Sequence, residues 1–324
     1  MSASQSGIAI ADALQRRFGE TFAVDESLSG LDELARLAGR RVHRRYTDRA
    51  VEPALLRLLC ACALSAPSKS DLQQADIVIL EKPEQTVIAD LIPDQPFIRS
   101  APAFLVFLAN GRRLTEISKL RGKPFPNDHL DQFFNAAVDA GIVLASFLRA
   151  ADAVGLGACP ISVIRDHSTK VSEMLKLPQR VIPVAGMCVG WPSEQGHISP
   201  RLSLDSTLHE GRYDEGDLAA RIDAYDRRRA AIHSYNPRDP ARWGEVAFYG
   251  WSEDKARQYG VPQRADFGAF VRKKGFCLDR SPWCPGRAKR DPGHGSMDYF
   301  FIYFCTRQFS VSATNTSPRG LTAM

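Results

Sequence analysis

The chain has 324 residues, with 42 lysines and arginines against 37 aspartates and glutamates, a formal net charge of +5, and 44% hydrophobic and 24% charged residues. That length buries a real core as one large domain or two small ones, and the balance is ordinary for a soluble globular protein. The mild basic excess falls well short of a nucleic-acid-binding tail and suits phosphorylated, anionic ligands. Seven cysteines, at 60, 62, 159, 188, 277, 284 and 305, are odd in number and form no CxxC pair. They argue against a metal site and for free thiols in a reducing cytosol. Residues 1–5 are polar and lack the charged n-region of a secretory signal.

In chain order, residues 1–38 read as an N-terminal helical extension, with a weak apolar stripe at Ile8, Ile10, Leu14 and Phe18 and a short amphipathic helix stopped at Gly39. A dense basic cluster follows: Arg40, Arg41, His43, Arg44 and Arg45. Pro53 opens a helix over 54–66 whose stripe of Leu55, Leu58, Leu59, Cys62 and Ala63 is a core pattern. The polar turn Pro67-Ser68-Lys69-Ser70 comes next, then a strand over 76–80 and a helix over 84–92 ending in the turn 93–96. The run 103–109 is apolar at every position and predicts a central strand buried on both faces. Residues 111–128 are polar and predict a mobile loop or lid. The longest helical pattern, 129–154, is apolar on several faces and predicts a helix buried nearly all round, in the centre of a large domain or in a dimer interface. Its most apolar part carries Asn135 and Asp139 and is shorter than the roughly 20 apolar residues of a membrane span. A strand over 158–164, a helix over 170–177 and a strand over 181–190 follow. Residues 217–231 form a charged helix, 232–265 read as loop, and 266–275 as a short helix.

Arginines bind phosphate bidentately and serines add neutral donors, so the basic cluster and the serine turn joined by a buried helix suit a phosphorylated ligand. Taken alone, the cluster reads as a solvated face or a nucleic-acid patch, and the serines as turn caps. The chain lacks the interleaved aromatics of single-strand binders.

The order Arg41-Val42-His43-Arg44-Arg45-Tyr46, then Ala66-Pro67-Ser68 through Gln73, resembles the start of the nitroreductase family of flavoproteins. A second stretch resembles its NADPH-dependent nitro, quinone and flavin reductase branch: Gly155-Leu156-Gly157, Ile161, Glu173 to Pro178, Pro183, Gly186, Gly190-Trp191-Pro192 and Pro200-Arg201. Gly155 and Gly157 permit a tight turn in which backbone approaches a flat ligand.

The resemblance covers about residues 38–279. It implies an α+β fold, a three-layer sandwich with a mixed, mostly antiparallel sheet flanked by helices, in a cytoplasmic homodimer. It implies noncovalent FMN at the dimer interface, NADPH or NADH as electron donor, and ping-pong hydride transfer to nitroaromatic, quinone or flavin acceptors, with no metal, nucleic acid or membrane as partner. No protein acid or base is required, because the flavin carries the chemistry. By position, Arg40, Arg41 and Arg201 are assigned to the phosphate, with Arg44 near the phosphate or the ring edge. Ser68, Ser70 and Gln95 are assigned to the ribityl chain and pyrimidine edge, and Pro160, Ile161 and Ser162 line the ring. Arg238 is placed at the 2′-phosphate of NADPH, against the plainer reading of a surface residue. Three departures bear on affinity: Val42 replaces a small polar residue, Ser199 replaces a lysine, and Pro160 removes a backbone donor. The other readings are a flavin- or phospholigand-binding protein without turnover, and a reductase of the same fold acting on enones or removing halogens. The expected domains are the extension 1–38, a flavin-binding domain 39–279, and a disordered or adventitious tail 280–324.

Overall fold

The computed structural model describes residues 2–278, so the tail 280–324 lies outside the described residues. The chain begins with α1 (Ala3–Phe18) and α2 (Leu31–Gly39), then α3 (Pro53–Leu64), β1 (Ala75–Ile79), α4 (Lys82–Leu91), α5 (Phe97–Ser100) and β2 (Ala103–Asn110). After these come α6 (Arg112–Leu120), α7 (Leu130–Ala153), β3 (Gly157–Ile161), α8 (Ser168–Met174) and β4 (Val181–Gly190). The last described elements are α9 (Leu218–Ile232), α10 (Pro240–Trp243), α11 (Trp251–Tyr259) and α12 (Phe267–Lys273).

The four strands form one open sheet in the order β1-β2-β4-β3, every neighbouring pair antiparallel, so no parallel pairing of the expected mixed sheet occurs among the described residues. Strand β2 is buried at every position but its last, and successive side chains enter opposite layers. Ala103, Leu105, Phe107 and Ala109 join the core under α3 and α7, while Phe104, Val106 and Leu108 join the core under α4 and α8. The three-layer sandwich follows from that alternation. Gly186 is required in β4, because a Cβ there would sit 2.4 Å from the Phe104 ring.

Several expectations give way to tertiary contacts. The predicted strand over 158–164 stops at Ile161, where a 3-10 turn, Ser162–His167, takes over. The polar segment 111–128 contains α6, whose start is fixed by Asn110 Oδ1 accepting the Arg113 N–H at 3.1 Å and by Arg113 pairing with Asp76 at 2.5 Å. The stretch 232–265 contains α10 and α11. Helix α11 is docked by Trp251 lying edge-on to Tyr225, with ring centroids 5.2 Å apart, and by Asp226 accepting the Ser252 N–H. Helix α7 is not buried all round: Leu130, Phe134 and Val138 are 54, 60 and 41% exposed and form an apolar outer face. It is the one described helix long and apolar enough to cross a membrane, yet Ala136, Ala140, Val143, Phe147 and Ala151 pack into the domain core. The cysteines also differ: Cys60, Cys62, Cys159 and Cys188 are free, Cys62 being exposed, while Cys277 is disulfide-bonded.

Phe107 is fully buried and meets Phe147 of α7 edge-on at 5.8 Å, tying the sheet to the helix layer. Phe107→Ala removes both the transfer and the packing contribution, so urea denaturation is expected to show a loss of about 3–5 kcal/mol. A loss under 1 kcal/mol would mean that the sheet–α7 contact is not a main support of the fold.

Candidate functional site

The arginine segment is held as an extra extended run along one end of the sheet. Helix α2 ends at Gly39 and Arg40 turns the chain to extended backbone. From there the His43 N–H donates to the Ala158 carbonyl at 3.2 Å, and the Thr47 N–H donates to the Trp191 carbonyl at 2.8 Å. Tyr46 bridges to Pro192, and its buried hydroxyl donates to the His43 carbonyl at 2.6 Å. Burial pushes the Tyr46 phenol well above its ordinary range, so it stays a neutral donor. Two glycines make this approach possible. A Cβ on Gly157 would lie 2.7 Å from the His43 side chain, and one on Gly196 would lie 2.9 Å from the Val42 carbonyl. Gly157 therefore makes room for the arginine segment rather than for a flat ligand, while Gly155 adopts the left-handed conformation that ends α7.

Arg17 of α1 sits at the junction of this segment with the Pro200-Arg201 segment. Its guanidinium donates to the Ala38 carbonyl at 2.8 Å, to the Ser199 carbonyl at 3.3 Å, and to the Arg40 carbonyl. Its own carbonyl accepts the Arg201 N–H at 2.7 Å. Burial, together with the fields of Arg201, Arg40 and Arg41, presses its pKa down to about 10, still cationic at neutral pH. Among the described residues, Arg40, Arg41 and Arg201 are in no ion pair. Arg41 Nε and His43 Nδ1 are buried with no protein partner. Burial lowers the His43 pKa, which favours the neutral ring. Arg36, Arg40, Arg41, His43, Asp12 and Asp152 line a cavity of about 500 Å³. Arg36 is paired with Asp32 and Glu33, but Arg40 and Arg41 are in no ion pair, and unpaired, partly buried guanidinium groups at a cavity are the donor set that a phosphate requires.

Next to this cluster, Arg44 lies over the Phe97 ring, 5.7 Å from its centroid, and its charge partly offsets the upward push of burial on the Cys159 thiol. That brings it beside the turn that carries Gln95 and beside Pro160, where β3 ends with Ile161 buried and Ser162 exposed.

The serine turn is elsewhere. Ser68 Oγ donates to Asp139 Oδ2 at 2.7 Å and accepts the Gln73 N–H at 2.7 Å. The Lys69 and Gln74 N–H groups also donate to Asp139, which is buried on α7. Ser70 is exposed, with φ at +49°, and Asp71 and Gln73 are left-handed too. Three such non-glycine residues in four positions are a strained turn, which the Asp139 carboxylate holds in shape. Ser68, Gln73, Gln74, Asp76, Arg113 and Asp139 line a second cavity of about 840 Å³, which shares no lining residue with the first. Gln74 is 0% exposed and both polar atoms of its amide lack a protein partner. Arg238 stands apart from both, its Nε on the nearly buried Asp254 at 2.8 Å. Among the described residues no group of three or more His, Cys, Asp or Glu side chains is placed to hold a metal ion.

The structure places Arg40 and Arg41 on the first cavity and Arg201 on another, of about 540 Å³, with Arg17 linking the two segments; it sets Arg44 beside the end of β3, Ser68 on the cavity next to Asp139, and Arg238 on Asp254. Arg17, Asp139 and Gln74 were not singled out by sequence. Asp139 alone left a signal, a carboxylate inside the most apolar stretch of the chain.

Residues 37–191 match the nitroreductase family and 199–279 match the nitroreductase family C-terminal domain. The chain belongs to the nitroreductase family. It is 31% identical over 248 residues to FMN reductase [NAD(P)H] of Bacillus subtilis (strain 168), covering 75% of this chain and 97% of that one. It is 33% identical over 193 residues to the oxygen-insensitive NADPH nitroreductase of Salmonella typhimurium, covering 58% of this chain and 78% of that one. The solved structure of B. megaterium NfrA2 superposes with a TM-score of 0.70 at 31% identity, covering 77% of this chain and 99% of that one. The fold is the nitroreductase fold, as the two motif stretches implied.

Asp152, in the arginine-lined cavity, has its pKa raised to about 6 by burial, an effect that Arg40 partly offsets. A raised carboxyl pKa adds stability that is fully present below the unfolded pKa of about 4 and is lost as pH rises through about 6. Asp152→Asn is therefore expected to raise the melting temperature at pH 7–8 and to leave it unchanged near pH 4. A pH-independent difference in melting temperature would show that ionisation of Asp152 carries no cost in the fold.

Proposed function

We propose that this chain is an FMN-dependent NAD(P)H oxidoreductase that works as a homodimer on small-molecule acceptors: nitroaromatics, quinones or free flavin. The observation that carries the reading is the arginine cluster: among the described residues Arg40, Arg41 and Arg201 form no ion pair, and Arg41 Nε is buried without a protein partner. Arg40, Arg41 and Arg201 would hold the FMN phosphate bidentately. Arg44, with Gln95 nearby, would face the ring edge and stabilise negative charge there. Pro160, Ile161 and Ser162 would line the ring through backbone and small side-chain groups. When bound, FMN supplies the hydride acceptor and donor of a two-step reaction, and the protein's contribution is position and electrostatics.

The dimer reading rests on two features. The serine turn with Ser68 and Ser70 lines a cavity separate from the arginines, so one chain alone does not join the assigned contacts. The outer face of α7, with Leu130, Phe134 and Val138, and the exposed Leu58 of the adjacent α3 supply an apolar surface suited to a second copy. Arg238 is retained for the 2′-phosphate of NADPH through its Nη nitrogens, since Asp254 takes Nε. The flavin body corresponds to residues 39–279, with 1–38 as an added N-terminal piece.

The purified protein is expected to show flavin bands near about 370 and 450 nm, to release FMN on denaturation, and to be bleached by NADPH without oxygen and recoloured by a quinone. A protein that binds FMN but is not bleached by NADPH or NADH would be a binding protein without turnover. Arg41→Ala is expected to weaken FMN binding by about 10- to 100-fold, the weight of one charge-assisted contact set. Unchanged affinity would remove Arg41 from the phosphate site.

A further inference from the structure

The helix α1 lies outside what the family explains. The family match begins at residue 37, and a relative covered over 97% of its length uses only 75% of this chain. Yet this added helix sends one buried side chain between the segments that carry Arg40 and Arg201. Resting on the FMN reading above, we propose that Arg17 is a positioning residue, an element of the N-terminal extension that sets Arg40, Arg41 and Arg201 for a flavin phosphate without touching it.

Three observations carry the proposal. First, the Arg17 donors reach two separate chain segments: the carbonyls of Ala38 and Arg40 at the exit of α2, and that of Ser199 two residues before Arg201. Only a planar fork with several donors spans such a set, and the ammonium of lysine does not. Second, the link closes on itself. The Arg17 carbonyl accepts the Arg201 N–H at 2.7 Å and Arg228 Nη1 at 2.9 Å, and Arg228 Nη2 also donates to the Arg201 carbonyl. Both the side chain and the main chain of residue 17 therefore fix where Arg201 stands relative to Arg40. Third, Arg17 is only 9% exposed and takes part in no ion pair among the described residues. A buried cation satisfied by carbonyls alone, with Arg40, Arg41 and Arg201 nearby, is a costly arrangement for a mere helix anchor. A phosphate among those four charges relieves their repulsion.

The test compares FMN with riboflavin, which lacks the phosphate, by titrating each into flavin-free full-length protein and following flavin fluorescence. Arg17→Met and Arg17→Lys are each expected to weaken FMN binding by about tenfold or more, with riboflavin affinity held within about twofold. Lys119→Ala, at an exposed cation of α6 paired with Glu116 and outside the arginine cavity, serves as the control and is expected to change neither. Should Arg17→Met fail to fold, Arg228→Met perturbs the same junction from its edge and is expected to cost about threefold in FMN affinity alone. Parallel weakening of FMN and riboflavin, or an unchanged ratio between them, overturns the role of Arg17. A wild-type protein that binds FMN no better than riboflavin overturns the phosphate site itself, and the proposal with it. A wild type that discriminates while the variants do so equally well sinks only the proposal.

Discussion

Guanidinium groups repel one another, and the proposed phosphate site depends on holding four of them, Arg17, Arg40, Arg41 and Arg201, within reach of one another's charge. Carboxylates would be the simplest means, but each would cancel a charge. The chain uses main-chain carbonyls instead: those of Ala38, Arg40 and Ser199 for Arg17, that of Arg41 for Arg40, and that of Pro200 for Arg201. Carbonyl dipoles satisfy the donors while leaving the net charge intact, so the field aimed at an anion survives. The overall balance of +5 is a modest figure that conceals this local concentration.

That cluster has a fixed place because the sheet has a fixed register. Cys159 of β3 stands opposite Cys188 of β4, and Gly157 stands opposite Gly190 at the strand ends. Both glycines are tight against the run that contains Tyr46: a Cβ at Gly157 would meet His43, and one at Gly190 would meet Tyr46. A shift by one residue would put side chains where those glycines stand and would expel the run from the sheet end. Behind them, β2 contributes alternate residues to two cores, so register errors there would be felt in both helical layers at once. The position of the arginines is therefore an outcome of core packing some distance from any ligand.

The parts of this arrangement legible in the sequence were those with strong local patterns. The uninterrupted apolar runs of β2 and β4, the long periodicity of α7, and the glycine and proline punctuation around 155–157 and 190–192 all correspond to elements in the structure. What escaped were elements specified by distant partners. Helix α11 is polar and short, and it is held by Tyr225 and Asp226 of α9; helix α6 is held by Asn110 and Asp76. No local pattern announces such contacts. Arg17 follows Arg16 near the end of a weak stripe, which is how an ordinary surface pair reads, and only the fold shows that one of them turns inward.

The two motif stretches near the start of the chain pose a different problem, because motif order is not spatial order. Arg41 and Ser68 are joined by one short helix, yet they line different cavities, and the serine turn is moulded onto Asp139 of α7 rather than onto the arginines. Under the proposed function, a ligand that takes both sets of contacts would need two chains, and the exposed apolar face of α7 lies on the same helix as Asp139. Under that proposal, cofactor binding and assembly would be linked: a flavin held by arginines of one chain and serines of the other would stabilise the pair by mass action, growing with the logarithm of its concentration over its dissociation constant. The strained turn at 70–73 fits that logic, since a conformation that costs free energy in the single chain is worth keeping where a second chain completes its contacts.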